Sequence, residues 1–161
     1  MNHETSKEIE LAVARWFGIR KYVIVPNVSW GFLPYEADLL LLTRSGCIWE
    51  VEIKVSHSDL LKDKKKRHNH DSDKVRQLWF AIPERLLVYV LHIPERAGII
   101  VVKKDGKVLR YRVPISNLHA RPLSDDDRFQ LARLGALRIW PLKEKIAKMT
   151  IASSQHNHAK T

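Results

Sequence analysis

Apolar and polar positions alternate strictly over residues 48–55: Trp49, Val51, Ile53 and Val55 fall on one side, Ile48, Glu50, Glu52 and Lys54 on the other. A period of two is the signature of a strand. Upstream lies the apolar run Leu39 to Leu42, and Arg44-Ser45-Gly46 between the two runs supplies the turn of a hairpin over 37–43 and 47–55. Elsewhere the period changes. Thr5-x-x-Glu8 reads as a capping box ahead of a helix with the stripe Ile9, Ala12, Val13, Trp16 and Phe17, stopped at Gly18. Residues 22–25 read as a strand ended by Pro26, and Ser58 as the cap of a helix reaching about Arg67 through Leu60 and Leu61. A loop over 68–73, a buried strand over 77–82 and a short helix opened by Pro83 follow.

A second hairpin, 98–103 with 108–113, turns at Asp105-Gly106. Ser124-Asp125-Asp126-Asp127 opens a final helix running to Trp140 or beyond, with a kink expected at Pro141. Residues 153–161 read as a disordered tail. Trp16, Trp49 and Trp79 all fall on apolar faces and are expected in the core. Strands alternating with helices predict one α/β domain over 1–152, a central mixed sheet flanked by helices.

Composition agrees with that reading. At 161 residues and 45% hydrophobic content, the chain can bury a single core. One cysteine, Cys47, excludes an internal disulfide and a multi-cysteine zinc site, which fits a reducing compartment. No apolar run is long enough for a membrane span, and residues 1–20 show no signal-peptide pattern, so a cytoplasmic location without membrane partners is expected.

Charge narrows the partner. The formal net charge of +10 calls for a polyanion. Between 62 and 76 stand seven bases (Lys62, Lys64, Lys65, Lys66, Arg67, Lys74 and Arg76) against three acids. A basic run of this kind is ordinarily a solvated surface. Here it directly follows the strand that carries Glu52 and Lys54, where it would meet backbone phosphates.

The candidate chemistry sits on the first hairpin. Asp38 leads one strand, and Glu50, Glu52 and Lys54 share a face of the next. One carboxylate from each of two neighbouring strands can hold Mg²⁺, which prefers oxygen ligands and shares its shell with phosphate. An ammonium two residues on can stabilise the charge that develops on a phosphodiester. An acid and an ExK triplet can also be no more than the polar face of a sheet. Glu50 is open to two readings, an additional metal ligand or a solvated acid.

Asp38, thirteen intervening residues and Glu52-x-Lys54 resemble the PD-(D/E)XK, or restriction-endonuclease-like, nuclease core. Glu36-Ala37-Asp38-Leu39, the stretch from Val51 to Ser56, Ser58-Asp59-Leu60-Leu61-Lys62 and Asp73-Lys74-Val75-Arg76-Gln77-Leu78 are most similar to the MmcB-like bacterial DNA-repair family. The likeness covers most of the chain to about Leu137, and Ala37 stands where the family name has proline. It implies a restriction-endonuclease-like fold and a Mg²⁺-dependent DNA nuclease, Mn²⁺ substituting, with Asp38 and Glu52 as metal ligands and Lys54 as the catalytic lysine. It also implies a further acid on the first helix, Glu8 or Glu10, between which helical phase does not choose. Lys62, Lys64, Lys65, Lys66, Arg67, Lys74 and Gln77 become the DNA-contacting set. A catalytically inactive DNA-binding module and an RNA-processing nuclease remain alternatives, and double-strand cleavage would require a homodimer.

Overall fold

The computed structural model describes residues 5–28, 31–64 and 72–158. Six strands form one mixed sheet in sequence order: β1 (Val23–Val28), β2 (Ala37–Leu42), β3 (Ile48–Ile53), β4 (Val75–Pro83), β5 (Gly98–Val102) and β6 (Val108–Arg112). The β1–β2, β2–β3 and β5–β6 pairs are antiparallel, whereas β3–β4 and β4–β5 are parallel. Parallel neighbours need a crossover. Helix α2 (His57–Lys64) lies in the first, and a 3₁₀ helix, Glu84–His92, lies in the second. The expected α/β architecture is present.

The alternation along β3 divides the core in two. Its odd positions Val51 and Ile53 join Leu39, Leu41, Trp79 and Ala81 under helix α1 (Ser6–Phe17), which contributes Ile9 and Val13. On the opposite face, Leu60 of α2 packs with Leu78, Phe80 and Ile82. Leu40 and Ile48 pack there with Leu123 and with Leu131 of helix α3 (Asp125–His158). Gly98 permits a close approach: a Cβ there would lie 2.4 Å from the Trp79 ring, so only glycine leaves room for it.

The capping box forms as expected, the Glu8 amide donating to Thr5 and the Glu8 carboxylate accepting from the Thr5 amide. Several local expectations are corrected. β1 runs through Pro26, which pairs with Leu39, because an edge strand has one side with no ladder to donate to. Ser56, not Ser58, caps α2: its hydroxyl accepts from the Asp59 amide at 3.2 Å. Trp16 is 39% exposed and meets Trp79 edge-on at 6.4 Å, at the rim of the core rather than in it. Helix α3 passes through Pro141 as one element, Asp125–His158. No glycine follows Pro141 to end it, and Lys, Glu, Ala, Leu and Met favour helix even without a packing neighbour. No described helix is long and apolar enough to cross a membrane.

Candidate metal and phosphate site

Sheet register brings the key residues together. Leu40 pairs with Glu50 and Leu39 with Val51, so Asp38 stands one step further along β2, opposite Glu52. Directly opposed residues in antiparallel strands hold their Cβ atoms about 5 Å apart. Lys54 follows the end of β3, its amide donating to the Ala81 carbonyl of β4 at 3.0 Å. The tie to β4 holds the backbone extended past Ile53, so the Lys54 side chain turns to the same face as Glu52.

The local electrostatics are those of buried charge. Glu52 is 2% exposed and Lys54 7%. The Lys54 ammonium donates to Glu52 Oε2 at 2.5 Å and lies 5.9 Å from the centre of the Phe80 ring. Asp38 is half-buried, and its Oδ2 accepts the Ile53 amide at 2.7 Å, locking the two strands where the acids meet. A buried ion pair of this kind is costly to break on one side only.

Glu50 does not match the expectation of a solvated acid. It is fully buried, and the Tyr35 hydroxyl donates to its Oε2 at 2.7 Å. Burial, with Glu50 next in weight and Glu52 behind it, pushes the Tyr35 phenol far above its ordinary range. Glu50 is therefore an internal acid beneath Glu52 and not a solvated one. Tyr35 was not recognised from the sequence, because its contact with Glu50 closes across fifteen residues; its place beside Glu36-Ala37-Asp38 was the one available signal.

The two helix acids differ in their surroundings. Glu8 is exposed and committed to the cap, where its hydrogen bonds with Thr5 hold its carboxyl below the usual range. Glu10 is raised, first by burial and then by the charge of Asp38. That coupling puts Glu10 within electrostatic reach of Asp38, whereas the carboxyl of Glu8 is governed by its contacts with Thr5. The sign gives a prediction. A raised carboxyl adds stability while protonated and loses it as pH climbs through its folded value. Without divalent ions, Glu10→Gln is expected to raise the melting temperature at pH 7 and to leave it unchanged near pH 3. Melting curves at the two pH values check this; an unchanged or lower melting temperature at pH 7 would contradict it.

The remaining expected residues disperse. Lys74 is engaged elsewhere: its ammonium binds Asp127 at 2.9 Å and sits 4.9 Å over the Phe32 ring, pinning the start of α3 to the 32–35 loop. Gln77 pairs in register with Trp49, five residues before Lys54, so it too lies at the other end of β3. There its amide nitrogen donates to Ser116 and its amide oxygen accepts from the Trp79 indole. The sequence misplaced both because the parallel β3–β4 register could not be read from it. Lys62 is exposed on α2. Lys64 ends that helix, while Lys65, Lys66 and Arg67 lie outside the described residues.

Among the described residues, no group of three or more His, Cys, Asp or Glu side chains is arranged to hold a metal ion. Asp38 and Glu52 are a pair of hard oxygen donors. Such a pair fits Mg²⁺, which is commonly held by one or two carboxylates, waters and substrate phosphate. It does not fit zinc, which takes three or four protein ligands, often nitrogen or sulfur.

Comparison with known proteins adds the fold alone. No family model matches the chain, and no curated protein matches it. A solved structure, the SPO1766 protein of unknown function from Silicibacter pomeroyi, superposes with a TM-score of 0.64 at 16% identity, covering 91% of this chain and 94% of that one.

Proposed function

We propose that this chain is a Mg²⁺-dependent DNA nuclease of the PD-(D/E)XK kind. The observation that carries the reading is the convergence of Asp38, Glu52 and Lys54 at one end of two adjacent strands. Two carboxylates and an ammonium in a largely dehydrated setting suit a phosphodiester better than a neutral substrate. Bound there, Mg²⁺ would neutralise charge on the phosphate and acidify a water. Asp38 and Glu52 are the residues that would hold it, and Glu10 is electrostatically coupled to Asp38. Lys54, paired with Glu52, would place its ammonium where negative charge grows on the phosphate. The Ile53 amide fixes Asp38, and Tyr35 fixes Glu50 beneath Glu52, so the constellation is ordered before substrate arrives.

The formal charge of +10 supports a nucleic-acid substrate held through its backbone. With about five phosphates contacted, log K against log salt should fall with a slope of roughly −4 to −5. The deciding experiment incubates purified protein with Mg²⁺ or Mn²⁺ and a panel of single-stranded, duplex, flapped, mismatched and branched DNA, with single-stranded and duplex RNA alongside. Cleavage that depends on the ion and stops with a chelator is expected. No cleavage of any DNA with either ion would overturn the proposal, and cleavage confined to RNA would correct its substrate.

A further inference from the structure

A concavity lies at the end of the sheet opposite the acid and lysine cluster, where β1 and β4 begin and the β2–β3 turn closes. Its volume is about 890 Å³, within the range of small-molecule sites. Lys21 enters it from the lead into β1, Arg44 from the β2–β3 turn and Arg76 from the first turn of β4. Among the described residues none of its lining side chains is acidic. Three cations in one hollow repel one another, and low-dielectric walls concentrate their potential, so an anion is the complement the hollow favours. Aromatic surface stands beside them. Tyr22 and Trp49 both line the hollow and are only partly buried, with ring centres 5.3 Å apart and planes inclined by 48°. Lys21 lies 5.2 Å from the centre of the Tyr22 ring.

Phosphate-binding charge next to flat aromatic surface is the chemistry of a nucleotide, whose base stacks while its phosphate pairs. From this arrangement the geometry points to a nucleotide-binding site at Lys21, Arg44, Arg76, Tyr22 and Trp49. Its ligand is a nucleoside phosphate, either free or as the 5′-phosphorylated end of a nucleic-acid strand. The site is separate from the acid and lysine cluster: Trp49, near the start of β3, and Lys54, just past its end, are five residues apart along extended chain, roughly 16 Å at about 3.3 Å per residue. It needs neither a metal nor the nuclease reading.

Cys47 supplies the reporter, being the chain's one cysteine and part of the lining. The rate of Cys47 alkylation by iodoacetamide is measured on the full chain in EDTA, which removes metal-dependent cleavage. Competitors are adenosine 5′-monophosphate, adenosine, inorganic phosphate and a short 5′-phosphorylated single-stranded oligonucleotide, and calorimetric titration of each reads binding independently. The nucleotide or the oligonucleotide should slow alkylation and release or absorb heat, and adenosine and phosphate should do so far more weakly. Protection by the oligonucleotide alone assigns the site to strand ends, and equal protection by the mononucleotide assigns it to free nucleotides. Lys21→Ser with Arg44→Ser, both exposed positions, should weaken binding about tenfold or more, since each charge-assisted contact is worth about a factor of ten. The inference is overturned if neither phosphorylated ligand protects Cys47 or gives a heat of binding. It is equally overturned if phosphate alone does as well as the nucleotide, or if the double variant binds as wild type. Such a failure leaves the nuclease proposal standing, because that proposal is read by cleavage with Mg²⁺.

Discussion

Lys54→Met is expected to abolish DNA cleavage and, at the same time, to destabilise the fold. The kinetic part follows from losing one preorganised charge where an oxyanion develops, about 10²–10³ in rate. The structural part follows from burial. Lys54 and Glu52 side chains are 8% and 3% exposed and in direct contact. Removing one partner of a buried pair strands the other, at a cost of about 3–5 kcal/mol. Glu52→Gln should carry a comparable penalty, whereas Lys54→Met combined with Glu52→Gln should regain much of it. Urea denaturation of the four proteins closes the double-mutant cycle. Cleavage with Mg²⁺ and DNA affinity with Ca²⁺ are then read on the same preparations, at a temperature where the single variants are folded. DNA affinity should barely move, because one lysine among many backbone contacts is a small part of the electrostatic total. Lys54→Arg should restore stability better than turnover, since a planar guanidinium does not reproduce a compact ammonium. A Lys54→Met protein that cuts at the wild-type rate would remove the chemistry from this site. Single variants as stable as wild type would show that the pair is not buried as described.

Glu50→Ala should be the second large effect, and chiefly a loss of stability. The side chain is fully enclosed, and its Oε2 takes the Tyr35 hydroxyl at 2.7 Å. Truncation opens a cavity and strips a buried hydroxyl of this acceptor, together about 2–4 kcal/mol. Tyr35→Phe keeps the packing and removes only the donor, about 1–3 kcal/mol. Glu50→Gln keeps an acceptor for Tyr35 and should lose least. Along a strand, two residues span roughly 6–7 Å, too far for Glu50 and Glu52 to share one ion bound at about 2.1 Å. Folded Glu50→Ala protein should therefore cut DNA several-fold more slowly than wild type, far above Glu52→Ala. Denaturation midpoints and single-turnover rates measure the two parts. Equal kinetic loss in folded Glu50→Ala and Glu52→Ala would make Glu50 a direct ligand instead.

The difference between these two predictions reflects what each face of β3 meets. Alternation assigned Glu50, Glu52 and Lys54 to one side, and the contact of Lys54 with Glu52 agrees with it. Alternation says nothing of depth, however. Glu50 and Glu52 are both shielded because the 32–35 loop, α2 and the 3₁₀ helix cover that face, and none of those contacts is local in sequence. The same limit explains Lys74. In a list of bases it resembles its neighbours, but tertiary contact with Asp127, fifty-three residues away, makes it a structural ion pair.

Local chemistry determined much of the chain unaided. The Thr5–Glu8 box, the positive-φ turns at Gly46 and Gly106, the two hairpins and the acid-led start of α3 each depend on a few adjacent residues. Backbone sterics and short-range hydrogen bonds decide such features, so a sequence displays them directly. The α/β class followed from the alternation of those elements. What only the tertiary structure decided was register and depth. Parallel pairing of β3 with β4 sent Gln77 to the far end of the sheet and assembled the basic, aromatic hollow around Trp49. The coupling of Glu10 to Asp38 came from the docking of α1, an orientation that helical phase alone left open. Both outcomes rest on how separately formed elements pack, and packing energy is shared among residues that stand far apart in the chain.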